Sequence, residues 1–380
     1  MTYSNCLNYL SRRGMLPFSL APFCEIDNLI LSICTYLPFE HILSDLSGTE
    51  QLSFSKAVKQ LPHYEDGEKL GLLLAEQIPL LAQKAAASPR FAPLRLGCCE
   101  SILDEESEMQ FAALTYFLPD GTLFLAFRGT DDTLVGWKEC FHMSFSSSVP
   151  AQKQAEQYLA RVAASFPGKL RLGGHSKGGN LAVWAAIHAA PPVRNRILHV
   201  YSNDGPGFSR DLTRSTAYRA LEGKISTFIP QASIVGILLH QDHHYHTIKS
   251  HETTAIGQHD PFSWEVNGPS FRYLTHRSPA GRRSAAALQG WIASMDPKER
   301  EEFTEVLFQV LSSNHAKTLS DLSVSWVDSA FAMAKAYGNL DRATRREMRV
   351  YLRRFLHSLS MANRPSAISL PSRRTMSRRR

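Results

Sequence analysis

The sequence predicts an α/β protein in which a mostly parallel central sheet carries helices on both faces. Three observations lead there. Between residues 109 and 230, short β-rich apolar runs alternate with helical patterns, the rhythm of βαβ units. One junction, Gly174-His175-Ser176-Lys177-Gly178, joins a strand-like run to a small-residue helical run that stops at Pro191-Pro192. The composition, 43% hydrophobic and 20% charged over 380 residues, is that of a globular chain with a full core.

Residues 1–100 read as a helical N-terminal segment packed on the core. Within residues 25–37, Ile26, Leu29, Ile30, Ile33, Tyr36 and Leu37 fall at helical spacing. Residues 66–87 carry a second helical pattern, bent or divided at Pro79. The core spans residues 101–277. Residues 109–117 and 122–128 are strand-like, and Pro119-Asp120-Gly121 between them signals a hairpin. The second strand runs into Arg128-Gly129-Thr130, with Trp137 downstream. Pro150 opens a helix with Ala155, Tyr158, Leu159, Val162 and Phe166 on one face, and Gly168 ends it. After the junction helix come a strand at 196–202, ending in Asn203-Asp204-Gly205-Pro206-Gly207, and another at 224–229, closed by Pro230. In such sheets ligands bind beyond the carboxyl ends of the strands, and Thr130, Ser176 and Asp204 share that edge.

Residues 278–361 read as a wholly helical C-terminal region. Asp296-Pro297-Lys298-Glu299 is a helix start, with an acidic N-cap, proline in first place and glutamate in third. Residues 341–361 form a basic amphipathic pattern with Met348, Leu352, Phe355, Leu356 and Leu359 on one side. Residues 362–380, rich in Ser, Arg and Pro, read as a basic disordered tail.

Composition excludes several classes. No apolar run approaches the length of a membrane span, and the first residues lack a basic-then-apolar leader. The six cysteines show no C-x-x-C, which points to reduced thiols in the cytoplasm and away from a zinc site or a disulfide scaffold. The net charge of +7 gathers in the last forty residues, so it describes a tail rather than a nucleic-acid-binding face. A solvated face is the first reading of the basic helix, and peripheral contact with anionic lipid is the alternative. No cofactor or metal is expected. The junction has neither G-x-x-x-x-G-K-[ST] nor G-x-G-x-x-G, and the histidines at 240, 243, 244, 246 and 251 match no zinc spacing.

The G-x-S-x-G has a steric logic. A nucleophile on a sharp strand-to-helix turn needs strained backbone angles, and side chains two before and two after it would strike strand and helix. The serine oxygen then projects beyond the sheet. The start of the following helix offers free N–H groups and a positive dipole end to a developing oxyanion.

Ala126-Phe127-Arg128-Gly129-Thr130 with Trp137, followed by Gly174-His175-Ser176-Lys177-Gly178-Gly179, resembles the lipase class 3 group of α/β-hydrolases. More closely, the chain resembles the Mbeg-like family of bacterial α/β-hydrolases, relatives of those lipases without an assigned function. The resembling stretches include Asp27-Asn28-Leu29-Ile30-Leu31-Ser32, Asp204-Gly205-Pro206-Gly207-Phe208 and Gln258-His259-Asp260-Pro261-Phe262-Ser263-Trp264. The resemblance implies an α/β-hydrolase fold and an esterase or lipase-like hydrolase acting on a small acyl ester or lipid. It supplies no substrate.

The chain order of this fold is Ser, acid, His. Ser176 is the expected nucleophile. Backbone donors at Lys177 and Thr130 are the expected oxyanion hole, Thr130 matching the residue class 3 lipases place there. Arg128 is read as structural, pairing with an acid under the loop. Asp204 is the expected acid and Asp242 the second candidate. The segment in which class 3 lipases carry their acid reads Ile229-Pro230-Gln231-Ala232-Ser233-Ile234-Val235 here and has none. His259 is the expected base, from its family-like segment. The histidine-rich stretch before it reads as a polar loop or lid, with residues 234–239 offering an apolar surface to an acyl chain, and His175 as a packing residue. Three functions compete: hydrolysis of a carboxylic ester, a thioesterase or acyltransferase on the same serine, and a binding scaffold without turnover. Oligomeric state is open.

Overall fold

One central strand shows how this chain builds two cores from one sheet. In β4 (Leu123–Phe127) successive side chains point to opposite faces. Phe124 and Ala126 enter a cluster with the N-terminal helices, while Leu123, Leu125 and Phe127 enter a second cluster with the helices that flank Ser176. All five are buried, as expected of a strand covered on both sides. In a computed structural model of the protein, residues 3–43, 48–62, 77–241, 245–314, 316–318 and 326–362 are described.

Among these residues the main sheet runs β1 (Leu52–Ser53), β2 (Arg95–Asp104), β3 (Met109–Phe117), β4, β5 (Leu170–His175), β6 (Ile197–Asn203), β7 (Ile225–Pro230) and β8 (Tyr245–Ile248). A hairpin of β9 (Val266–Asn267) and β10 (Ser270–Phe271) stands apart, and β11 (Tyr273–Leu274) closes the far edge against β8. Pairs from β4 to β8 are parallel, and those at both edges are antiparallel. The sheet is therefore mixed: crossover helices join the parallel centre, and short turns suffice for the β2–β3–β4 meander.

One face is covered by α1 (Cys6–Arg13), α2 (Glu25–Cys34), α3 (Phe54–Gln60) and α4 (Gln77–Ala86). After α5 (Leu134–His142), α6 (Pro150–Ser165) and α7 (Lys177–His188) cover the other. Then follow α8 (Pro279–Ala293), α9 (Pro297–Leu311), α10 (Trp326–Asn339) and α11 (Arg342–Ala362). The expected cap of α9 is present as a reciprocal box between Asp296 and Glu299. With a parallel centre, helices on both faces and a strand–turn–helix junction after β5, this is an α/β-hydrolase fold.

The N-terminal segment is tied down by a buried ion pair. Arg90 grips Asp27 through two nitrogens, at 2.7 and 2.5 Å, and both side chains are at most 1% exposed. Tyr9 Oη and the Cys24 amide also donate to that carboxylate, so neither buried charge lacks a partner.

The structure differs from expectation in three places. The helical reading of residues 1–100 is interrupted by β1 and stops short of Arg95–Glu100, which open β2; Cys98 and Cys99 lie in its register shift, the former at φ 49°. The histidine-rich stretch is not all loop, because Tyr245–Ile248 pairs with β7 as β8. In α11, Tyr351 is buried, whereas Leu352 and Leu356 are 58% and 56% exposed. Packing of Tyr351 and Phe355 around Phe303 and Trp291 sets that helix rotation, which sequence periodicity alone misplaces. The first part of the helix expected at 66–87, and the tail beyond residue 362, lie outside the described residues.

Candidate active site

Ser176 sits on the turn between β5 and α7 with φ 57° and ψ −132°. A non-glycine residue held there is strained, and the surroundings over-determine it. A Cβ on Gly178 would lie 2.0 Å from the Phe127 carbonyl oxygen, and one on Gly174 would lie 2.3 Å from the Gly178 carbonyl carbon. Both glycines are thus required by close approach of backbone, as the motif predicts. The Ser176 amide donates to the Asn203 carbonyl at 3.0 Å, tying the turn to β6. Lys177 is the first residue of α7, so its N–H has no acceptor within the helix.

The Arg128-Gly129-Thr130 loop lies against this turn. A Cβ on Gly129 would come within 3.1 Å of Ser176 Cβ and 2.1 Å of Tyr36 Oη. Arg128 is anchored below, donating to the Thr35 and Leu37 carbonyls and to Glu40, which is the acid expected beneath the loop. The Thr130 hydroxyl is 2.8 Å from Cys140 Sγ, so it pins the loop to α5.

Asp204 and His259 meet. His259 Nδ1 lies 2.6 Å from Asp204 Oδ2 across 55 residues of chain, which leaves Nε2 as the ring nitrogen not engaged by the acid. Asp204 is fully buried and has φ 53°. The left-handed residue of this turn is thus the aspartate itself; Gly205 and Gly207 are needed instead for close approach. A Cβ on Gly205 would lie 2.6 Å from Ser202 Oγ, and one on Gly207 2.2 Å from the His240 carbonyl oxygen. Asn180, one turn along α7, holds the next stretch by donating to the Pro206 and Gly207 carbonyls at 3.1 and 3.0 Å.

Several supporting groups escape sequence reading. Ser233 Oγ donates to Asp204 Oδ2 at 2.5 Å and the Gly236 amide to Oδ1 at 3.1 Å. The segment that lacks an acid, with Gly236 just after it, therefore supplies donors to the carboxylate that follows the neighbouring strand. His175, read as a packing residue, is 1% exposed and lies under His259, with ring centroids 4.5 Å apart. Its Nδ1 is 3.2 Å from Tyr36 Oη and its Nε2 3.0 Å from the His259 carbonyl oxygen. Burial and the adjacent imidazole hold its pKa well below the usual histidine value, so the ring is neutral.

Two further buried contacts brace the turn. The Lys177 side chain is wholly buried, with Nζ 2.9 Å from Glu139 Oε2 and donating to Gln110 Oε1 at 2.5 Å and its carbonyl at 2.6 Å. Behind β5, Asn28 and Asn203 pair through their amides, at 2.9 and 3.2 Å, and Asn203 also donates to the Gly174 carbonyl. Asp260, next to His259, is pushed up to about 6 by burial, partly offset by the Phe262 amide and His259.

The other candidates lie elsewhere or outside view. Asp242, His243 and His244 fall outside the described residues. His246 stacks on Phe228, and His251 stacks on Tyr3 and meets Glu265 at 2.7 Å. His240 pairs through its backbone with Phe208. Glu108 of the β2–β3 turn, His142 of α5 and Glu305 of α9 bring ligand atoms within 4.8 Å of one another. Lys138 Nζ already bridges the two carboxylates at 2.5 and 2.7 Å. A cavity of about 970 Å³ opens beside the site. Asn180, Trp184, Gly207, Phe208, Leu238 and Leu239 are among its walls; Ser176, Asp204 and His259 are not, so it adjoins the cluster without containing it.

The Mbeg1-like family model matches residues 85–309, so the family resemblance read at residues 27–32 lies outside the matched part. No curated protein matches the chain. Among solved structures, the Rhizomucor miehei lipase propeptide complex is 15% identical with a TM-score of 0.32, covering 45% of this chain and 66% of that one. The match therefore spans just under two thirds of that lipase. M37 lipase is 15% identical with a TM-score of 0.35, covering 55% of this chain and 67% of its own.

Proposed function

The chain belongs to the Mbeg1-like family, and from that premise we propose that it is a serine hydrolase cleaving carboxylic esters, lipid esters among them, through an acyl-enzyme on Ser176. The observation that carries the reading is the 2.6 Å contact of Asp204 with His259 Nδ1, the His259 ring lying 4.5 Å from that of His175, the residue before a serine on a strained strand-to-helix turn.

Ser176 Oγ attacks the ester carbonyl carbon and its proton passes to His259 Nε2. Asp204 holds the Nδ1 proton, which orients the ring and stabilises the imidazolium that forms. The carbonyl oxygen becomes an oxyanion, taken up by the backbone N–H groups of Lys177 and Thr130. Collapse breaks the bond to the leaving oxygen, which receives the proton from His259. Water then attacks the acyl-enzyme by the reverse proton route, releasing the acid and free Ser176.

The test is a fluorophosphonate probe followed by intact mass, on the parent and on Ser176→Ala. One adduct on the parent and none on the variant is expected, followed by turnover of p-nitrophenyl esters of graded chain length. A folded parent that takes no adduct, with or without detergent micelles, favours a hydrolase-shaped binding protein. Preference for thioesters over oxygen esters of equal chain length would move the reading to a thioesterase.

A further inference from the structure

The exposed face of α11 is built from arginines interleaved with leucines. Arg342, Arg346, Arg349 and Arg353 are exposed, and Arg345 half-buried. These residues recur at spacings of three and four, so they share one face of the helix. Leu352 and Leu356, one turn apart, lie on that same face at 58% and 56% exposure. Glu347 stands two residues before Arg349 and therefore off the face. Among the described residues, no ion pair involves Arg342, Arg346, Arg349 or Arg353, whereas the inward-facing Arg354 pairs with Glu299 at 3.0 Å.

We propose that this face docks on an anionic lipid surface. The arginines match the phosphates of acidic headgroups, and the two leucines can enter the boundary between headgroups and acyl chains. The leucines decide between polyanions: a nucleic-acid backbone offers arginines the same charge but gives neighbouring leucines nothing apolar to enter. No described helix is long and apolar enough to cross a membrane, so contact through this face is with the surface.

The face is mechanically linked to the candidate site. Trp291 of α8 donates to the Tyr351 carbonyl at 3.1 Å, and its ring lies 5.2 Å from that of Phe355. At the N-terminus of α8, Ser278 donates its amide to the Gln231 carbonyl at 3.0 Å, and beside Trp291 near the C-terminal end Gln289 donates to the Ile237 carbonyl at 3.1 Å. The loop so held carries Ser233 and Gly236, the donors to Asp204. Docking thus sets lipid one helix away from the loop that supports Asp204. The binding itself does not depend on Ser176 being a nucleophile.

The test is cosedimentation of the full chain with large vesicles, either pure phosphatidylcholine or phosphatidylcholine with phosphatidylglycerol, at about 0.1 M salt. The parent binds the anionic vesicles and not the neutral ones. Arg349→Glu with Arg353→Glu lowers that affinity about 100-fold. Leu352→Ser with Leu356→Ser lowers it about tenfold. A variant with Gln at Arg373, Arg374, Arg378, Arg379 and Arg380 keeps most of the binding. All changed helix positions are exposed, and equal melting temperatures verify the fold. The proposal is overturned if both helix variants bind like the parent. It is equally overturned if only the tail variant loses binding, or if an RNA duplex displaces the vesicles and binds the leucine variant as tightly as the parent.

Discussion

The imidazole of His175 lies against that of His259, centroid to centroid at 4.5 Å, and its Nε2 donates to the His259 backbone carbonyl at 3.0 Å. The residue before the serine therefore fixes both the ring and the main chain of the proposed base. Tyr36 holds the far side of His175 by its hydroxyl at 3.2 Å from Nδ1. A neutral ring suits both contacts, with Nε2–H donating and Nδ1 accepting.

His175 acts as a positioning residue. On the proposed function, His175→Ala lowers kcat for a p-nitrophenyl ester by about 10- to 100-fold while KM barely moves, because a loosened base loses alignment rather than binding. His175→Phe keeps the ring stack and recovers part of the loss. Parent-like kcat in the alanine variant would remove this role.

The same ring makes stability depend on pH. Its folded pKa is depressed below the ordinary value of about 6.5, so its contribution is complete above that pH and declines as the pH falls toward the folded value. His199, held down to about 4 chiefly by burial, acts in the same sense. Asp260, pushed up to about 6, acts oppositely, since the folded state takes up its proton before the unfolded state does. The readout is therefore a difference: between pH 7 and 5, His175→Phe loses less stability than the parent, by up to about 1.4 kcal/mol per pH unit. Urea midpoints at pH 7, 6 and 5 measure it, and parallel slopes would refute it.

Asp204→Asn lowers kcat by about 10³- to 10⁴-fold on the proposed function, through the wrong tautomer and loss of charge beside His259. Ser233→Ala removes one donor to the same carboxylate and costs about tenfold. Steady-state kinetics on a soluble ester checks both, and the reverse ranking would place the acid elsewhere.

The Lys177–Glu139 pair is wholly buried, and Glu139 also accepts from the Ala151 and Gln110 amides at 2.7 and 3.2 Å. Glu139→Gln strands the ammonium and destabilises by about 3–5 kcal/mol. Lys177→Met combined with Glu139→Gln leaves no unpaired charge and is less destabilised than Glu139→Gln alone. Urea unfolding of the single and double variants decides, and a double variant at least as weak as the single refutes the claim.

Gly178→Ala forces a methyl to 2.0 Å from the Phe127 carbonyl oxygen, where backbone faces backbone and neither side can rotate away. A loss of about 3 kcal/mol or more is expected, read as a lowered melting temperature or as insoluble protein. A variant with parental melting would show that the turn opens easily.

Much of the site was legible from local rules. Gly174, Ser176 and Gly178 announce the turn because their constraint is steric and spans five residues. The helix at Asp296-Pro297 and the hairpin around Asp120-Gly121 were readable for the same reason: caps and turns act on near neighbours. What tertiary structure alone decided lies far apart in sequence. Asp204 and His259 meet over 55 residues, Lys177 and Glu139 over 38, and Asn28 and Asn203 over 175. The loop around Ser233 became a donor to Asp204 only because β6 and β7 are neighbours in the sheet. Which side of α11 faces out was set by Tyr351 fitting Phe303, since the periodicity of Leu352 and Leu356 alone would turn them inward. Sequence spacing reports what a residue does to its own turn or strand. Pairing across the sheet depends on which strands become neighbours, and that is decided by how the whole chain buries its apolar faces.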